Sequence, residues 1–114
     1  MIRAYNLQPD GSVTNMRIHY NFFRGRSADG MSIDVEGNLY ASAGLNQLRG
    51  TSETLDTKAG VHIISPKGKL LDFIPIAEDT ITNNAFGGPD MKTLYITAGK
   101  NLYQVRTNIA GMPR

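Results

Sequence analysis

The sequence has no cysteine and no tryptophan. Without thiols it has no disulfide, no thiolate metal site and no cysteine nucleophile, and since such chains occur everywhere, no compartment follows. No apolar run approaches the roughly 18 residues of a membrane span, and the N-terminus lacks a signal peptide's charged-then-apolar order. The chain therefore reads as soluble, with no membrane partner. Helix is at most a minor element, because no segment of ten residues or more repeats apolar side chains at i, i+3, i+4 and i+7. Net charge is scarce too: Lys+Arg 12 against Asp+Glu 10 leaves +2. That is too slight for a dominant electrostatic role with nucleic acid. Arg17, Arg24 and Arg26 do interleave with Tyr20, Phe22 and Phe23, which could stack bases. A half-exposed strand alternates in the same way, and no nucleic-acid partner is expected.

Several chemistries are missing as motifs. No Gly-x-Ser-x-Gly elbow occurs, and Gly87-Gly88-Pro89-Asp90 lacks the ending of a phosphate-binding loop and reads as a turn. His19 and His62 match no zinc spacing and read as exposed strand positions.

What the chain does have is a repeat. Asp29 to Gly44 aligns without a gap on Asn84 to Gly99, and Leu39-Tyr40 falls on Leu94-Tyr95, about 55 residues further on. Arg3 to Gly11 returns at nearly the same interval as Val61 to Gly68. Ile2–Leu7 and Val13–Phe23 read as a hairpin across Gln8-Pro9-Asp10-Gly11. Met31–Val35, Leu39–Ala43, Val61–Ser65 and Leu70–Ile74 read as four antiparallel strands. The series restarts at Ala85-Phe86-Gly87 and continues through Thr93–Thr97 and Leu102–Arg106. Repeated short strands with glycine turns are the signature of propeller blades. The expected fold is all-β: four-stranded antiparallel sheets forming a partial β-propeller. Residues 1–25 would supply the outer two strands of one blade, 26–78 a complete blade, and 79–114 three strands of a closing blade. Met31, Phe86, Tyr40 and Tyr95 recur at matched positions and read as core.

The polar stretch 44–60 reads as a long loop, a length that in a compact domain is usually functional or disordered. If strands alternate in direction, this loop shares one end of its sheet with Asp29. It would bring Glu53 and Asp56 to that end, where it is expected to shape substrate access. Asp-Gly is also a common turn dipeptide, so Asp29-Gly30 alone reads as a turn. Asp34 reads as a turn former at a strand end. Asn83 and Asn84 read as turn residues that could alternatively face a channel.

Ala28-Asp29-Gly30-Met31-Ser32-Ile33-Asp34-Val35-Glu36-Gly37-Asn38-Leu39-Tyr40 resembles the motif that enters a late blade in the gluconolactonase, regucalcin (senescence marker protein) and lactonase-like family. Asn84 to Thr97 resembles that family's closing blade. The likeness runs from about Ile2 to Arg106, and implies the C-terminal third of a six-bladed propeller, about two blades of the six. It implies a hydrolase dependent on a divalent cation, calcium or zinc, that opens a sugar lactone or related ester. By position, Asp29 would be both metal ligand and catalytic acid or base. The family's other ligands, a glutamate and one or two asparagines, lie on segments without counterparts here. The chain is therefore expected to be inactive as an isolated fragment, its partners being missing N-terminal blades or other copies of itself. The alternative is a non-catalytic blade module for binding or assembly.

Overall fold

The computed structural model describes residues 1–50 and 53–113. Among the described residues nine strands form in chain order, and no helix occurs. A hairpin of β1 (Ile2–Leu7) and β2 (Val13–Tyr20) is followed by a four-stranded antiparallel sheet. This sheet contains β3 (Ala28–Ile33), β4 (Leu39–Ala43), β5 (Gly60–Ile64) and β6 (Leu70–Pro75). A three-stranded sheet of β7 (Ile81–Gly87), β8 (Thr93–Ala98) and β9 (Asn101–Arg106) completes the chain. Every pairing is between strands adjacent in sequence, so each sheet is a simple meander.

The sheets stack face to face with two apolar layers between them. Ile2 and Phe22 pack on Ala41, Ala43 and Ile64 between the hairpin and the four-stranded sheet. Tyr40, Val61 and Ile76 pack on Ile81, Leu94, Ile96 and Ala98 between the second and third sheets. Strand β4 is buried on both faces, and Ala41, Ser42 and Ala43 provide the small side chains that let neighbours approach from either side. The repeat explains an asymmetry. Tyr40 faces the third sheet and is 3% exposed. Its counterpart Tyr95 points to the far side of that sheet and is only half-buried. Leu94 and Ile96, not Tyr95, supply the core of β8. Met31, expected in the core, is 46% exposed.

Asp34 knots the β3–β4 turn and is completely buried. One carboxylate oxygen accepts the backbone N–H groups of Glu36 and Asn38, both at 2.9 Å. The other accepts Asn38 Nδ2 at 2.9 Å and the Tyr40 hydroxyl at 3.2 Å. Four donors replace the water lost on burial, which is how a carboxylate is kept inside without a cation. Burial first, and the Asp34 charge second, push the Tyr40 hydroxyl well above its ordinary range, so it stays a donor. The C-terminal segment adds to this end of the sheet. Val35 donates to Ala110 O, Met112 to Ile33 O, and Gly111 to Met91 O at 2.7 Å, tying β3 to the β7–β8 turn.

Replacing Asp34 by Ala orphans the turn's N–H groups and the Tyr40 hydroxyl, and should lower unfolding free energy by about 3 kcal/mol, with Asp34→Asn costing less. Urea denaturation midpoints of the three proteins measure this; equal midpoints would refute it.

Candidate active site

Asp29 lies near the start of β3, where the regular pairing with β4 is interrupted between Ala28↔Ala43 and Met31↔Ala41. The dipeptide that reads as a turn is a bulge inside a strand. A bulge re-aims the side chains it carries, and Asp29 is exposed here. Gly30 is the close-packed residue of the pair. A Cβ on it would fall 2.1 Å from Asn83 Oδ1, so only glycine lets β3 approach β7 this closely. β7 has its own interruption between Ile81 and Asn83, and Asn83 is also exposed. The two bulges thus meet at one end of the seam between the second and third sheets.

Asn84, the next residue, points the opposite way. It is buried, its Nδ2 donating to Tyr40 O at 2.9 Å and to Ser42 Oγ at 2.7 Å, while its Oδ1 accepts from Ser32 Oγ. Asn83 and Asn84 are therefore strand residues, not a turn. One borders the Asp29 bulge, and the other ties β7 to β3 and β4.

The 44–60 connection reaches the same end, since β4 leaves it from Ala43, the partner of Ala28. It is firmly attached. Gly44, at φ 90°, lies so close to Lys58 O that a Cβ would meet it at 2.1 Å. Asp79, just before β7, accepts the backbone N–H groups of Asn46 at 2.7 Å and Gln47 at 2.8 Å. Arg49 donates to Thr80 Oγ1 at 2.9 Å. Glu53 accepts from Arg49 at 3.1 Å and from Arg26 at 3.3 Å. The Arg49 backbone N–H, more than either guanidinium charge, holds its carboxyl below the usual range. Glu53 is thus committed to fastening the loop beside the entry to β3. Residues 51 and 52 of this loop lie outside the described residues. Asp79 went unnoticed in sequence because an isolated aspartate carries no signal that two amides 32 and 33 residues upstream will turn toward it.

Asp56 goes elsewhere. It lines a groove of about 430 Å³ with Tyr20, Phe22, Phe23, Lys58 and His62 on the side of the hairpin. His62 is not an exposed strand position: it is 7% exposed, edge-on to Phe22 and stacked obliquely on Phe73, with Nε2 2.9 Å from Lys58 O. Burial pushes its pKa down, against a smaller opposite pull from the Lys58 carbonyl. The Arg and aromatic run also separates. Phe22 is core, Arg17 bonds Asn6 Oδ1 at 3.1 Å, Arg26 pairs with Glu53, and Arg24 lies over Phe23.

Among the described residues no three His, Cys, Asp or Glu side chains converge as metal ligands. The Asn83 amide oxygen, which lies against Gly30, already accepts the Asn84 N–H at 2.8 Å. Calcium takes six to eight oxygens and zinc about four ligands, so the described residues do not by themselves form a divalent-cation site.

Residues 1–100 match the family model described as SMP-30/Gluconolactonase/LRE-like region. Gluconolactonase of Zymomonas mobilis is 30% identical over 117 residues, an alignment covering 96% of this chain and 29% of that protein. The 6-deoxy-6-sulfogluconolactonase of Pseudomonas putida is 32% identical over 102 residues, covering 88% of this chain and 31% of that protein. Among solved structures, a luciferin-regenerating enzyme superposes with a TM-score of 0.74 at 25% identity, over 96% of this chain and 39% of its own. The chain spans less than a third of the length of these two curated relatives.

The lowered pKa of His62 sets a pH dependence. The unfolded chain, with its histidine near 6.5, takes up a proton that buried His62 resists. Stability from this group is therefore complete above about pH 6.5 and declines as pH falls through the lower folded-state value. His62→Phe should flatten the decline of the thermal midpoint between about pH 6.5 and 5; an unchanged slope would contradict this assignment.

Proposed function

Since the chain belongs to the SMP-30/gluconolactonase/LRE-like family, we propose that it forms one side of a site that hydrolyses a sugar lactone or related ester, with Asp29 as the proton acceptor. The observation that carries this reading is the Asp29-Gly30 bulge, packed against the Asn83 bulge at the end of the seam where the fastened loop arrives. The names of the relatives, gluconolactonase and 6-deoxy-6-sulfogluconolactonase, support sugar lactones as the substrate class.

In this proposal a water oxygen attacks the lactone carbonyl carbon while the Asp29 carboxylate takes a proton from that water. The tetrahedral intermediate then collapses by breaking the bond between the carbonyl carbon and the ring oxygen. The ring oxygen takes that proton from protonated Asp29 and leaves as a hydroxyl, giving the open hydroxy acid and restoring the Asp29 carboxylate. Gly30 and Asn83 hold the bulge, and the Asp79 and Arg49 contacts keep the loop at its rim. A divalent cation, calcium or zinc, belongs to the proposal only where other segments add donors to Asp29. By the same donor count, the 114 residues alone are proposed to turn over little or no lactone.

The proposal is tested in a chimera in which this chain replaces the aligned third of the Zymomonas mobilis gluconolactonase. The chimera should hydrolyse gluconolactone, and Asp29→Asn should lower kcat by about 100-fold or more, the ordinary worth of a general base, with the fold intact by circular dichroism. An active chimera indifferent to Asp29→Asn would remove Asp29 from the chemistry.

A further inference from the structure

Three of the chain's five methionines line one cavity of about 260 Å³. Met31 comes from β3, Met91 from the β7–β8 turn and Met112 from the C-terminal segment, and Ile33, Asn84 and Phe86 share the walls. None of the three methionines belongs to the apolar layers between the sheets. The backbone draws them together. Met112 N–H donates at 3.0 Å to Ile33 O, two residues from Met31, and Gly111 N–H donates at 2.7 Å to Met91 O. Gly111 also bridges to Asp34 and lies so close to β7 that a Cβ would fall 2.2 Å from Phe86 Cγ.

One of these methionines sits where a glycine is the ordinary choice. The β3–β4 turn closes with Gly37 N–H on Asp34 O, and Gly37 has a φ of 84°. The β7–β8 turn closes in the same way with Met91 N–H on Gly88 O, and Met91 has a φ of 57°. Glycine enters this left-handed region without strain, whereas a side chain crowds its own backbone there. A residue held in such a conformation is fixed by its surroundings, and such residues cluster at ligand sites.

We propose that the thioethers of Met31, Met91 and Met112 form a binding site for Cu(I). Thioether sulfur is a soft, neutral donor, and such donors select Cu(I). Among the described residues no histidine or carboxylate lines the cavity, and the Asn84 amide is committed to Tyr40, Ser42 and Ser32. Calcium, which needs oxygens, and zinc, which needs thiolate, imidazole or carboxylate, find no ligand set there. A single positive charge also costs less to desolvate than two, which suits walls without a carboxylate. Reach is sufficient. The cavity is roughly 8 Å across, and three flexible side chains on its walls can each bring a sulfur to the roughly 2.3 Å of a metal–sulfur bond around one centre. With no cysteine in the chain, no thiolate draws the ion elsewhere. All three donors belong to this chain, and the site does not depend on the lactonase reading.

Anaerobic titration of the purified chain with Cu(I) in excess ascorbate tests this, read by nuclear magnetic resonance of methionine methyl groups labelled with carbon-13. The Met31, Met91 and Met112 signals should shift together and saturate at one ion per chain, while those of Met1 and Met16 stay in place. Leucine keeps the volume of methionine and removes the sulfur. Met31→Leu, Met91→Leu and Met112→Leu should therefore each weaken binding about tenfold or more against a chromogenic Cu(I) chelator, with an unchanged circular dichroism spectrum, and Met16→Leu should bind as the parent does. No methyl shift with Cu(I) up to about 100 µM would overturn the proposal. So would shifts spread over all five methionines, or a loss of affinity in Met16→Leu equal to that of the other three variants.

Discussion

The seam between β3 and β7 is the constraint on which the rest depends. Two sheets that meet only through apolar faces can slide, because dispersion and hydrophobic contact carry little direction. Asn84 supplies the direction. Its amide reaches Tyr40 O and Ser42 Oγ on β4 and accepts from Ser32 on β3, so one buried side chain from the third sheet holds two strands of the second in register. Buried in low dielectric, these bonds are costly to break, which makes the arrangement specific as well as stable.

Each end of the seam has its own tie. At the Asp34 end, the turn knot and the Ala110–Met112 segment join β3 to the β7–β8 turn. At the Asp29 end, Gly30 lies against Asn83 and Asp79 holds the long loop through two amides. Bulges, close glycine contact and a fastened loop converge where the sheets leave a carboxylate exposed. Regular strands would have left that end smooth and Asp29 paired into the ladder.

Much of the architecture was legible because period-two alternation and glycine turns are local. β1, β4 and the starts of β6 and β8 fall where the alternation puts them, and the interval between Leu39-Tyr40 and Leu94-Tyr95 reveals the repeat. The misreadings share one cause, which is that burial depends on a neighbour. Tyr40 and Tyr95 occupy the same repeat position, yet only Tyr40 has a sheet laid over it. His62 is buried because Phe22, from the segment after the hairpin, packs edge-on against it, and Asn84 is a tie because β3 and β4 offer acceptors and donors over 40 residues away. Asp29-Gly30 reads as a turn because a bulge and a turn use the same residue types, and only the register with Ala41 and Ala43 separates them. The end shared by Asp29 and the long loop was legible, since strand direction alone fixes it. The destination of each carboxylate was not: Glu53 goes to two arginines and Asp56 to the aromatic groove.

The central claim is that close packing of β3 on β7 at Gly30 is what presents Asp29 for the proposed proton transfer. Gly30→Ala in the lactonase chimera tests it most directly, because one added methyl group lands on Asn83 Oδ1 without altering the carboxylate. The account predicts that kcat falls by about tenfold or more while KM stays within a few-fold, as expected when a positioned base is displaced by a fraction of an ångström. A Gly30→Ala chimera with unaltered kcat would contradict it, and would mean that Asp29 does not depend on the seam.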